Sequence, residues 1–84
     1  MTNQEYDILD ELYFLTSFTF LQENVDVKSL ALEQILWELV TKEWVLCHQD
    51  GDVEITPTKT EFESEFGNYH YLASKKGLLA HNAR

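Results

Sequence analysis

The sequence predicts an α+β domain, and three observations carry that prediction. Apolar residues recur with helical period through residues 29–42. Two β-prone runs, WVLCHQ and VEITPT, bracket the polar turn Asp50-Gly51-Asp52. An acid-led amphipathic stretch opens the chain. Eighty-four residues suffice for one domain with one modest core. Two Trp, five Phe and four Tyr within a hydrophobic content of 44% are too many for a disordered chain.

The first helix is expected over residues 3–15. Thr2 or Asn3 can cap it, and Glu5 and Asp7 stand in the first turn, where the helix dipole favours acids. Ile8, Leu12 and Leu15 then share one face with Leu9 beside them, while Asp7, Asp10 and Glu11 take the other. TSFTF, residues 16–20, is β-branched and aromatic. It reads as a short extended segment, or Ser17 or Thr19 caps a brief helix over residues 20–24. After the turn at Asn24-Val25-Asp26, a third helix starts near Asp26 or Ser29 and runs to about Lys42. Its stripe is Leu32, Ile35, Leu36, Leu39 and Val40.

Residues 44–49 and 53–58 form the expected β-hairpin. Gly51 supplies positive φ at its tip, and Pro57 marks a strand stop or an edge because it has no N–H for a ladder. Beyond residue 58 the spacing of Phe62, Phe66, Tyr69 and Leu72 suits a helix that Gly67-Asn68 interrupts. Residues 69–79 read either as a further helical piece or as a strand over 69–73.

The order helix, short extended piece, helix, helix, hairpin resembles a winged-helix domain. The residues that carry the resemblance are Leu32, Leu36 and Leu39, then Trp44-Val45 after Lys42-Glu43, then the tip Asp50-Gly51-Asp52 and the closing Thr56-Pro57. It covers residues 4–60 and implies a three-helix core with a two- to three-stranded hairpin wing, followed by a C-terminal extension over residues 61–84. One position departs from it. Where such domains place a glycine in a left-handed helix cap, this chain has Glu43, for which that conformation is costly. The expectation is that the helix ends differently there or runs on through Trp44.

The side of the third helix away from its apolar stripe carries Leu30, Gln34, Trp37 and Thr41, flanked by Glu33 and Glu38. In the DNA-reading members of such a family this side meets the major groove, with Arg and Lys on the phosphates. Gln34 has the chemistry to read an adenine, but Lys28 and Lys42 lie near the helix ends and cannot supply the usual set of phosphate contacts. The whole chain carries a net charge of −9. Of its fifteen acids only Glu61, Glu63 and Glu65 lie beyond residue 58, and of its six basic residues only Lys28 and Lys42 lie before it. A polyanion is repelled by such a surface. Leu30 and Trp37, two turns apart on one side, instead suit contact with a protein partner or a second copy of the chain, giving a non-catalytic regulatory or adaptor role. The competing reading makes Trp37 ordinary core under residues 69–79. A DNA-binding regulator is the alternative function, with Lys59, Lys75, Lys76 and Arg84 as its phosphate contacts beside the wing.

Catalytic chemistry has little to work with. Cys47 and His48 are adjacent in a strand and point to opposite faces, so they cannot chelate one metal together. His70 and His81 lack a ligand spacing, and a zinc site needs three or four converging groups. No serine sits in a nucleophile elbow, and three isolated glycines make no phosphate loop. No enzyme, metal, cofactor or small-molecule substrate is therefore expected. A single cysteine excludes an internal disulfide and fits a cytoplasmic chain. No apolar run reaches the ~20 residues of a membrane span, and the acidic start does not resemble a signal peptide.

Overall fold

The computed structural model describes residues 1–83 and has the α+β architecture expected. Its elements in order are α1 (Asn3–Glu11), β1 (Thr16–Ser17), α2 (Phe18–Asn24), α3 (Ser29–Thr41), β2 (Val45–Gln49), β3 (Val53–Ile55), α4 (Lys59–Glu65), a 3-10 turn (Phe66–Asn68), β4 (His70–Ala73) and α5 (Lys75–Asn82). The four strands form one antiparallel sheet in the order β1-β4-β2-β3.

Local chemistry sets most of the boundaries. Thr2 caps α1 through a reciprocal pair: its hydroxyl accepts the Glu5 N–H, and the Glu5 carboxylate accepts the Thr2 N–H. The helix stops at Glu11 rather than reaching residue 15. The Leu12 carbonyl turns outward to accept the Ala73 N–H of β4, and the Thr16 hydroxyl donates to the Glu11 and Phe14 carbonyls. Sheet and side-chain partners thus replace the last helical bonds. Ser17 caps α2, Thr58 caps α4 with Glu61 answering in the same reciprocal way, and Ser74 caps α5.

Helix α3 ends in a left-handed cap after all, and Glu43 itself takes it, at φ 65°. The Trp44 N–H donates to the Leu39 carbonyl and the Glu43 N–H to the Val40 carbonyl, the two bonds of a Schellman ending. The hairpin tip places Asp50 (φ 52°) and Gly51 (φ 90°) in positive φ, and β3 stops at Ile55, two residues short of Pro57.

Residues 61–83, read from the sequence as an extension, furnish the middle of the fold. β4 lies between β1 and β2, pairing Tyr71 with Thr16 on one side and with Cys47 on the other. The core gathers Ile8, Leu9 and Leu12 of α1 and its end, Leu21 of α2, and Leu32, Leu36 and Leu39 of α3. Against these pack Val45, Cys47, Phe62 and Tyr71, and all of them are essentially sealed from solvent. Phe62 is the hub of the aromatic part, with Trp37, Phe66, Tyr69 and Tyr71 around it at ring separations of 5.2 to 6.4 Å. The buried Tyr71 hydroxyl donates to the Phe66 carbonyl at 2.6 Å, so it enters the core with its polar atom satisfied.

Candidate functional site

The outward side of α3 is a cleft, and its second wall is α4. Leu30, Glu33, Gln34, Trp37 and Glu38 line it from α3, and Lys59, Phe62 and Glu63 from α4. Phe62 must enter the core, since it is 1% exposed, and in doing so it draws the acidic helix α4 alongside α3. Its ring then meets the Trp37 indole at 5.2 Å, tilted by 45°. Trp37 is half-buried, packed against the core with the Phe62 ring of α4 beside it. Leu30 stays 69% exposed at the open end of the cleft, and Gln34 is exposed on its rim. Thr41 lies outside the cleft and its hydroxyl donates to the Trp37 carbonyl one turn back. Of the four side chains singled out on α3, the structure therefore joins Leu30, Gln34 and Trp37 and leaves Thr41 apart.

The electrostatics of the cleft are one-sided. Three carboxylates (Glu33, Glu38 and Glu63) stand around Leu30, the half-buried Trp37 and the nearly sealed Phe62, with Lys59 as the one cation lining the cleft among the described residues. The other basic residues are elsewhere. Lys75 and Lys76 begin α5 and line a separate cleft at the base of β2, shared with Glu43 and Glu54. Lys59 is thus not gathered with Lys75 and Lys76, and Arg84 lies outside the described residues. Lys42 is also committed. Its ammonium pairs with the buried Glu5 carboxylate at 2.7 Å and sits 4.0 Å above the Trp44 ring. Burial alone would raise the Glu5 carboxyl, but the Lys42 ammonium and the Thr2 N–H together hold it below the ordinary carboxylate value.

A second surface feature lies outside the expectations drawn from the sequence. The α1–α2 connection leaves Tyr13, Phe14 and Leu15 exposed, Phe14 at 82%, and α2 adds Phe20 beside them. They surround a shallow depression beside the edge strand β1 that Asp10, Glu11 and His70 also line. Phe18 and Phe20 lie two positions apart on α2, on opposite sides of the helix, which puts Phe18 inside and Phe20 outside, and nothing in the residue types distinguishes them. The covering of Trp37 did have a signal in the sequence. Thr58-Lys59-Thr60-Glu61 is a capping-box pattern that marks the start of α4 and hence the position of Phe62.

Of the groups with reactive potential, Cys47 is accounted for by packing, whereas the buried Nδ1 atoms of His48 and His70 have no hydrogen-bond partner. The Cys47 thiol is buried and its pKa is pushed up to about 12 by that burial, so it is a protonated, apolar side chain at neutral pH. His48 and His70 sit directly opposite each other on β2 and β4, while Cys47 faces the core on the other side of the sheet. His81 is buried between the stacked ring of Tyr6, 4.2 Å away, and the edge-on ring of Tyr13. Its Nδ1 meets the Tyr13 hydroxyl, while its Nε2 stands 3.3 Å from Asp10 Oδ1 without a hydrogen bond. Among the described residues no three His, Cys, Asp or Glu side chains converge as a metal site, and no helix is long and apolar enough to cross a membrane.

Comparison of the chain with protein-family models, with curated proteins and with solved structures gives no match. The geometry of the fold and its surfaces is therefore the basis for a functional reading.

Proposed function

We propose that the chain is a winged-helix variant that acts as a non-catalytic regulatory or adaptor module through protein–protein contact. The order α1, β1, α2, α3, β2, β3 supports the winged-helix part of this reading. The sheet suggests a revision of it. β4 lies next to both β1 and β2, so the wing is β2 with β4, and the segment β3–α4–3-10 turn is inserted between those two strands. On this reading the insertion is what separates the chain from a nucleic-acid reader, because its helix α4 stands where the phosphate backbone would approach α3.

The observation that carries the proposal is the cleft between α3 and α4. It presents Leu30 and the free edge of Trp37 within a ring of Glu33, Glu38 and Glu63. Affinity for nucleic acid comes chiefly from cations on phosphates, and this face offers mostly carboxylates. A polypeptide that brings apolar side chains flanked by Lys or Arg satisfies both its floor and its rim. The contrasting DNA-binding reading needs Lys59, Lys75 and Lys76 to act together, and they line different clefts.

The test is titration of a labelled mixed-sequence duplex at low salt, read by fluorescence anisotropy. The expected result is no binding at tens of micromolar protein. Binding that weakens steeply with salt, and that Lys75→Ala with Lys76→Ala removes, overturns the proposal in favour of a DNA-binding regulator.

A further inference from the structure

An exposed aromatic surface lies around the α1–α2 connection, apart from the α3–α4 cleft. Phe14 is 82% exposed and Phe20 53%, and Tyr13 and Leu15 flank them at 43% and 40%. Single exposed apolar residues are ordinary, but a contiguous group is not. Nor is the group a consequence of a loose loop. The Thr16 hydroxyl holds the Phe14 carbonyl at 2.7 Å, and the Leu12 carbonyl accepts the Ala73 N–H at 2.8 Å. The Tyr13 hydroxyl is fixed to Asn82 at 3.0 Å, and Ser17 caps the helix that carries Phe20. Four bonds from three different elements thus hold the backbone in the conformation that points Phe14 outward. A surface fixed in advance loses little entropy when it is covered.

Charge decides what covers it. Among the described residues, the acids lining the depression are Glu11 and Asp10, the latter 3.3 Å from the His81 ring, and no Lys or Arg lines it; the rest are aromatic or apolar side chains, two small hydroxyls (Thr16 and Ser17) and His70. A second copy brought face to face by a two-fold axis would gather both copies of Asp10 and Glu11 into one interface, between chains that each carry a net charge of −9. A membrane with anionic lipids meets the same repulsion. A polypeptide segment that offers apolar side chains next to lysine or arginine meets none. We infer that the Tyr13–Phe14–Leu15–Phe20 surface docks a cationic, apolar polypeptide segment of another protein. With the α3–α4 cleft elsewhere on the molecule, this gives one small chain two separate contact faces.

The test uses an amphipathic Lys/Leu peptide as the probe and the amide chemical shifts of the ¹⁵N-labelled chain as the readout. The Leu30→Ser variant is used throughout, so that the α3–α4 cleft does not contribute. The expected result is a saturable shift of the amides of residues 11–20 and of His70. Adding Phe14→Ser weakens that binding at least tenfold while leaving the melting temperature unchanged, because Phe14 supports no core contact. Phe20→Ser provides the same test from α2. A Glu/Leu peptide of the same pattern produces no shift. The inference is overturned by an absent shift, or by one that survives both substitutions. It is also overturned by a concentration-dependent dimer that Phe14→Ser abolishes, which assigns the face to a second copy. Shifts induced instead by phosphatidylcholine vesicles would assign it to lipid and equally overturn it. None of these outcomes bears on the α3–α4 cleft, which the duplex titration tests separately.

Discussion

Glu43 holds the conformation that its side chain least suits. At φ 65° it closes α3 where a glycine would do so without steric cost, and its carbonyl accepts the Ser74 hydroxyl while the next carbonyl, of Trp44, accepts the Ser74 N–H. The left-handed region costs a non-glycine residue about 1–2 kcal/mol, part of which glycine's greater freedom in the unfolded chain takes back. Glu43→Gly is therefore expected to raise stability by about 1 kcal/mol, measured by urea denaturation, whereas Glu43→Val should lower it. The other residue with a distinct prediction is Glu5. Its carboxyl is held below the ordinary value of 4.5 in the folded state, so the folded state binds a proton less readily than the unfolded one. Its contribution is complete above that value and is lost as the pH falls through the lower, folded value. Lys42→Met should cost roughly 2 kcal/mol at neutral pH, between the values for exposed and buried pairs, since Lys42 remains partly exposed. The difference between variant and wild type should narrow on acidification below pH 4.5, as followed by melting at stepped pH.

Among the elements, α5 shows how closely the C-terminal part is fitted to the rest. A Cβ built on Gly77 would stand 2.1 Å from the Trp44 carbonyl oxygen, a backbone atom that also accepts the Ser74 N–H. Gly77→Ala must displace the helix or the start of β2. A loss of about 1–3 kcal/mol is expected by thermal denaturation, with Gly67→Ala, which meets nothing within 4 Å, as the mild comparison. How far each element could be read from the sequence follows from whether its signal is local. Helix α3 was legible because Leu32, Leu36 and Leu39 repeat with one period, and the β2–β3 turn because Asp50-Gly51-Asp52 admits little else. Helix α1 was read one turn too long, because its last residues obey helical spacing yet are claimed by β4, a partner about sixty residues away. β4 itself was one of two readings of residues 69–79, since HYLA alternates like a strand while its neighbours space like a helix. The Leu30, Gln34 and Trp37 face was visible as a stripe, but the wall that α4 adds to it depends on Phe62 meeting Trp37, a long-range contact that no local pattern contains.

For the whole molecule the same long-range pairing sets the unit of folding. β4 joins β1 to β2, and Phe62, Tyr69 and Tyr71 enter the core. A chain cut after Thr60 loses the middle strand and the largest buried rings. It is expected to show no cooperative melting and no near-ultraviolet dichroism, whereas a native-like melt of that fragment would mark residues 61–84 as an appendage. The uneven distribution of charge acquires its meaning at this scale as well. The acids of α3 and α4 surround one cleft together with Lys59, and the lysines of α5 line another, more apolar one together with Glu43 and Glu54. The central claim is that the α3–α4 cleft receives a basic polypeptide and turns nucleic acid away. It is tested most directly by paired amide chemical-shift titrations of the Phe14→Ser variant, one with a Lys/Leu peptide and one with a short duplex at low ionic strength. The account predicts shifts at Leu30, Gln34 and Glu63 with the peptide and none with the duplex. Salt-sensitive shifts with the duplex at Gln34, Lys75 and Lys76, and none with the peptide, would contradict it.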